Sequence, residues 1–139
     1  MSRRSLLVAV SVAQLCAHLA GLVTALRRRR SYDLGFLRGA PEHVVRDALW
    51  IGTAYSAPPP MIAAQVWATV RLRRGPDEGA RRILSMLGVL MVPGYLMERF
   101  GRASLRPRGL DPVETPIEVA GVGLAAAMAV LGHQEVSGA

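Results

Sequence analysis

The sequence predicts an all-α integral membrane protein, an up-down bundle of four transmembrane helices forming one domain over residues 1–139. Three observations predict it. Hydrophobic residues make up 51% of the chain and charged residues only 19%. The charges are gathered into clusters, and uncharged runs of 14 to 23 residues lie between them. Runs of that length exceed ordinary strands, and the two longest match the ~20 residues needed to cross a ~30 Å hydrocarbon layer. The segments between the runs are short, which joins helices as antiparallel neighbours.

The first span is expected over about 5–26. Ser5 to Leu26 carries no charge and would be about 33 Å long as a helix. Arg3 and Arg4 precede it, and Arg27 to Arg30 close it as a stop-transfer signal does. A cleavable signal peptide would have a shorter apolar centre and a small-residue cleavage site, which this segment lacks. The second span is expected over about 48–70, with Trp50 and Trp67 near its ends as interfacial anchors. The third and fourth, about 82–100 and 113–132, have shorter uncharged centres. Arg81, Arg82 and Arg99 extend the third if their side chains snorkel to the interface. A two-span chain with two amphipathic segments is the rival architecture. A soluble bundle would require charged helix faces that the first two runs do not offer.

Packing faces follow from residue size. Ala9, Ala13, Ala17, Gly21 and Ala25 recur every four residues in the first helix, and Gly121, Ala125 and Ala129 do so in the fourth. Small residues at that spacing let backbones approach closely. The first and fourth helices are therefore expected to pack on each other or on another copy. Ser11, Gln14 and His18 share a second face of the first helix. Lipid penalises such a face, so it should turn inward and hydrogen-bond between helices.

Pro58-Pro59-Pro60 lies near the middle of the second run. Three prolines remove three backbone donors, so an interruption is expected between Ala54 and Met61. Thr53, Tyr55, Ser56 and Gln65 are near enough to satisfy the freed carbonyls. Pro93-Gly94 marks a hinge at similar depth in the third helix. Broken helices near the midplane build binding sites in some transporters and are plain kinks in most other chains.

Glu118 is the acid expected deepest in the membrane. Two readings compete for it, a polar intramembrane site or a capping box in Thr115-Pro116-Ile117-Glu118, with Asp111-Pro112-Val113-Glu114 able to cap one turn earlier. Alternating helices would bring His18, Tyr55, Ser56, Tyr95, Glu98 and Glu118 to one side of the midplane. With Gln14 they form the candidate polar site.

The formal charge of +7 comes from 17 basic residues, all arginine. Beside transmembrane runs, these mark contact with anionic lipid headgroups and set topology; nucleic acid is not implied. With both termini outside, the first and third loops place ten arginines inside (Arg27, Arg28, Arg29, Arg30, Arg38, Arg46, Arg99, Arg102, Arg106 and Arg108) against seven outside. The five arginines of the second loop oppose that orientation.

A single Cys16 excludes a disulfide scaffold, and His18, His43 and His133 are too scattered for a metal motif. No phosphate loop or nucleophile elbow is present. No cofactor or metal is expected. The expectation is a non-enzymatic accessory or interaction protein of the cell membrane, with a membrane-protein partner or a second copy. A small transporter or lipid-binding protein using the proline breaks is the alternative, and an enzyme built on His18, Tyr55 and Glu118 stands behind both.

Overall fold

The structure, a computed structural model, describes residues 1–28, 57–97, 107 and 110–133. The described residues are 87% helical and contain no strand. The helices are α1 (Arg3–Arg28), α2 (Pro59–Arg74), α3 (Glu78–Met97) and α4 (Glu114–His133). By length and composition, α1, α3 and α4 can each cross a membrane. The described part of α2, at 16 residues, is about 24 Å long.

Each boundary has a local cause. Pro58 adopts extended backbone (φ −55°, ψ 142°) just before α2, and Pro59 and Pro60 occupy its first positions. Helix N-termini need no N–H there, so the triple proline starts this helix. The carbonyl of Pro58 accepts from the Met61 and Ile62 amides. The described helix begins at 59; the earlier part of the expected span, residues 48–56 with Trp50, Tyr55 and Ser56, lies outside the described residues. Asp77 caps α3 by accepting from the Ala80 amide at 2.9 Å, which starts the helix four residues before the expected 82. α3 stays helical through Pro93-Gly94 to Met97. Pro93 is on its exposed side, where the lost backbone bond disturbs no helix contact.

At α4, Asp111 is the cap. Its Oδ1 accepts from the Val113 and Glu114 amides, each at 2.8 Å, and Thr115 Oγ1 accepts from the Asp111 amide at 2.9 Å. The earlier of the two capping alternatives is thus the one adopted. Glu118 does not cap: it is a full turn inside the helix, and none of its surface is exposed.

The helices pack in a cycle, α1 on α2, α2 on α3, α3 on α4 and α4 on α1, with α3–α4 the most extensive contact. Sequential neighbours run antiparallel. The buried row of α1 is Leu7, Ser11, Gln14, His18, Gly21 and Ala25, with Thr24 buried beside its end. That of α4 is Glu114, Glu118, Gly121, Ala125, Met128 and Gly132. Both rows alternate steps of four and three, the spacing of a coiled-coil seam. Large apolar side chains point outward instead: Leu19, Met86, Val89, Leu90, Val119 and Val130 are all more than half exposed. Trp67 is also half exposed, with the Arg71 guanidinium 5.7 Å from its ring centroid.

α3 and α4 meet through glycines. A Cβ on Gly88 would come within 2.5 Å of the Ala125 carbonyl oxygen and 2.6 Å of the Ala129 nitrogen. A Cβ on Gly132 would reach 2.7 Å from Ser85 Cβ, and one on Gly121 2.8 Å from the Tyr95 ring. Ser85 Oγ donates to the Ala129 carbonyl at 3.0 Å along the same seam.

Candidate polar site

Beside an apolar core that includes Leu7, Leu72, Leu84, Met91 and Met128, polar side chains are buried. Ser11, Gln14, Gln65 and Glu118 have no exposed surface, and His18 has 1%. Seam spacing on α1 turns Ser11, Gln14 and His18 toward the other helices, since steps of three and four stay on one helix face.

The first group joins α1 to α2. Thr69 Oγ1 donates to the Gln65 carbonyl one turn back, at 2.6 Å. Its single proton is then engaged, so the Ser11 hydroxyl donates to Thr69 Oγ1 at 2.7 Å. The Gln65 amide nitrogen returns two bonds to Ser11, to the carbonyl at 3.1 Å and to Oγ at 3.2 Å. It also approaches Met128 Sδ of α4 at 3.8 Å. The result is a closed circuit of donors and acceptors.

The second group crosses from α1 to α3. Gln14 Nε2 donates to the Tyr95 hydroxyl at 3.3 Å and lies 4.0 Å from Met91 Sδ. The Tyr95 hydroxyl is 3.2 Å from His18 Nδ1, and the two rings are within 8° of parallel, centroids 6.3 Å apart. The Ala57 amide donates to the same Nδ1 at 3.4 Å. Nδ1 is then an acceptor, which puts the ring proton of a neutral imidazole on Nε2. The direction of the chain follows: Gln14 donates to Tyr95, and Tyr95 donates to His18. His18 thus satisfies the Ala57 amide just before α2, and Gln65 bonds Ser11; the carbonyls of residues 54–56, which the prolines were expected to free, lie outside the described residues. The Nε2 proton of His18 is directed to the Gln65 side chain, and Gln14 Oε1 has no hydrogen-bond partner among the described residues.

Of the candidate polar residues, Gln14, His18 and Tyr95 come together. Glu118 is buried on the α4 seam, three residues before Gly121, whose backbone abuts the Tyr95 ring. Tyr55, Ser56 and Glu98 lie outside the described residues. Of the packing residues, Gly21, Gly121 and Ala125 are buried, Ala17 is half-buried, and Ala13 is exposed. Gly121 and Ala125 serve the contact with α3 inside this chain. The sequence reading did not single out Thr69 or Gly88, or give Gln65 its role beside Ser11. Their signal was seam spacing: Gln65, Thr69 and Leu72 on α2, and Leu84, Gly88, Met91 and Tyr95 on α3.

Charged pairs close the ends. Arg28, at the end of α1, reaches Asp111 at 2.8 Å and Glu114 at 2.9 Å. The Arg28 guanidinium, helped by the Glu114 and Val113 amides, holds the Asp111 carboxyl down at about 2. At the other end Arg81 does not snorkel. It is 4% exposed, bonds the Gly132 carbonyl at the end of α4, and pairs with Glu78. Arg71, followed on α2 by exposed Arg73 and Arg74, pairs with Asp77 at 2.8 Å. The Ala80 amide, and then the Arg71 guanidinium, hold the Asp77 carboxyl below its usual range.

Among the described residues, no three His, Cys, Asp or Glu side chains gather closely enough to hold a metal ion. No protein-family model, curated protein or solved structure matches the chain.

Proposed function

We propose that the chain is a small multi-pass protein of the cell membrane, an up-down bundle of four membrane-spanning helices, that acts by association as an accessory subunit or assembly factor. The observation carrying this reading is on the outward face of α1. Ala9, Ala13, Cys16 and Ala20 are exposed there with seam spacing of their own. In lipid, small residues so arranged favour a helix partner, because close backbone contact replaces the missing hydrophobic drive. Large apolar side chains elsewhere on the outside suit lipid, and exposed in water they would drive aggregation.

Gly121 faces Tyr95, so a bulky residue there would disturb this chain before it disturbed any partner. The test belongs at Ala13. Cys16 supplies a native reporter, being the sole cysteine and exposed. Oxidation in intact membranes should cross-link Cys16 to a copy or to a partner, and Ala13→Leu should abolish the product with thermal stability unchanged. Absence of any cross-linked species, together with a monomeric mass in nanodiscs, would sink the association reading.

A second reading, a small transporter or lipid-binding protein, is favoured by one observation. The Ala57 amide, at the proline-marked start of α2, points at a buried imidazole, and Gln14, bonded to the same Tyr95 hydroxyl as that imidazole, keeps a buried Oε1 without a partner among the described residues. Non-helical backbone at membrane depth is tolerated where it lines a polar site. If His18→Ala or Glu118→Gln abolishes a cellular phenotype while insertion and the Cys16 cross-link persist, this second reading replaces the first.

A further inference from the structure

A cavity of about 310 Å³ opens at the end of the molecule where α1 and α3 begin and α2 and α4 finish. Its walls are Leu7, Leu72 and Leu131, and Arg3, Arg4 and Arg81 line it with the turn before α3. Its size is at the lower bound of small-ligand sites, which run from ~300 Å³.

The charge balance around it is uneven. Two carboxylates, Asp77 and Glu78, also line the cavity. Both are engaged by residues of their own neighbourhood: Asp77 by Arg71 and the Ala80 amide, Glu78 by Arg81 and Arg82. Arg3 and Arg4 form no ion pair among the described residues. They occupy the first turn of α1, which holds no acid, so two guanidinium groups adjoin the positive end of a helix dipole. That arrangement is unfavourable until an anion arrives. Buried Arg81 secures the end of α4 beside the cavity by bonding Gly132, so the wall carrying Leu131 is held in place. The apolar run of α1 starts directly after Arg4, which puts the cavity at headgroup depth if α1 crosses the bilayer.

We propose that this cavity is a binding site for the phosphate headgroup of an anionic glycerophospholipid. Arg3 and Arg4 clamp the phosphate, and Leu7, Leu72 and Leu131 receive the glycerol and the root of an acyl chain. Basic pockets between membrane helices suit this ligand class, because charge and apolar contact act together. The proposal rests on the membrane reading of the chain.

The test uses the full chain in detergent, with phosphatidylglycerol or phosphatidylcholine added and retention read by native mass spectrometry. One phosphatidylglycerol should bind in preference to phosphatidylcholine. Arg3→Gln with Arg4→Gln should weaken it at least about tenfold. Both residues are exposed, so the fold should survive, as circular dichroism would verify. Arg73→Gln with Arg74→Gln removes the same charge from the same end at residues that do not line the cavity, and should change binding less than about threefold. Equal losses in the two double variants would overturn the site in favour of diffuse attraction. Displacement of the lipid by millimolar inorganic phosphate would overturn the lipid assignment and leave a small-anion site. Carbonate extraction is a separate arm: release of the chain from membranes would refute the membrane reading itself, whichever anion binds.

Discussion

The α1–α2 contact and the α3–α4 contact solve one problem by different means. Between α1 and α2, side chains reach across: Ser11, Gln65 and Thr69 form their circuit, and His18 meets the Ala57 amide. Between α3 and α4, Gly88, Gly121 and Gly132 remove side chains so that backbone can approach, and Ser85 and Arg81 add bonds to α4 carbonyls. Within lipid, apolar surface gains little by leaving one apolar surroundings for another, so helices associate through hydrogen bonds or close packing. This chain weights the two devices differently in its two hairpins, close packing leading in α3–α4, and Tyr95 connects them. Its hydroxyl belongs to the hydrogen-bonded half and its ring rests against Gly121.

If that division is right, the glycine seam should be the less forgiving half. Gly88→Ala places a methyl group against backbone that cannot rotate away, so the helices must separate. We expect a loss of about 1–3 kcal/mol, read from reversible denaturation in mixed micelles. A variant as stable as wild type would show that α3 and α4 are not in close backbone contact. Gln65→Leu attacks the other half. It removes both side-chain bonds to Ser11 but keeps volume and adds an apolar group. We expect about 0.6–1.7 kcal/mol in the same assay, and therefore a smaller effect than at Gly88. The reverse order would mean that hydrogen bonding, not packing, dominates this fold.

The smallest effect should come from the ion pair at the α1–α4 end. Asp111 titrates at about 2 in the folded chain, against an ordinary 3.8. A depressed carboxyl pKa contributes stability above the unfolded value and loses it as pH falls through the folded value. Stability should thus decline between about pH 4 and pH 2 as the Arg28–Asp111 contact is protonated. Asp111→Asn should flatten that decline, leaving the Glu114 contact with Arg28 in place. An identical acid profile for the variant would show that this pair is not formed in solution.

The helices were legible in the sequence because uncharged runs and arginine clusters leave few alternatives for α1, α3 and α4. The inward direction of Ser11, Gln14 and His18 was legible too, since steps of three and four keep one face. The small-residue row was misleading for a geometric reason. Steps of four residues advance the azimuth by about 40° each, so Ala9 and Ala25 end on nearly opposite sides of α1. Only Gly21 and Ala25 fall on the seam; Ala9 and Ala13 face away. The choice between Asp111 and Thr115 as the α4 cap was open in sequence, because both carry capping side chains one turn apart. Arg81 was illegible for another reason: snorkelling and inward bonding use the same residue, and the acceptor is on a different helix.

That acceptor has a consequence for how the chain is made. The Arg81 guanidinium bonds a carbonyl 51 residues further along the chain. While a ribosome is still delivering α4, the Gly132 carbonyl is not yet there to accept from Arg81, whose place beside Leu7 and Leu72 is still open on that side. The start of α3 therefore stays provisional during synthesis, and the arrival of Gly132 seats it. The last helix to be made completes the end of the one before it, so α3 and α4 mature as a unit and not in sequence.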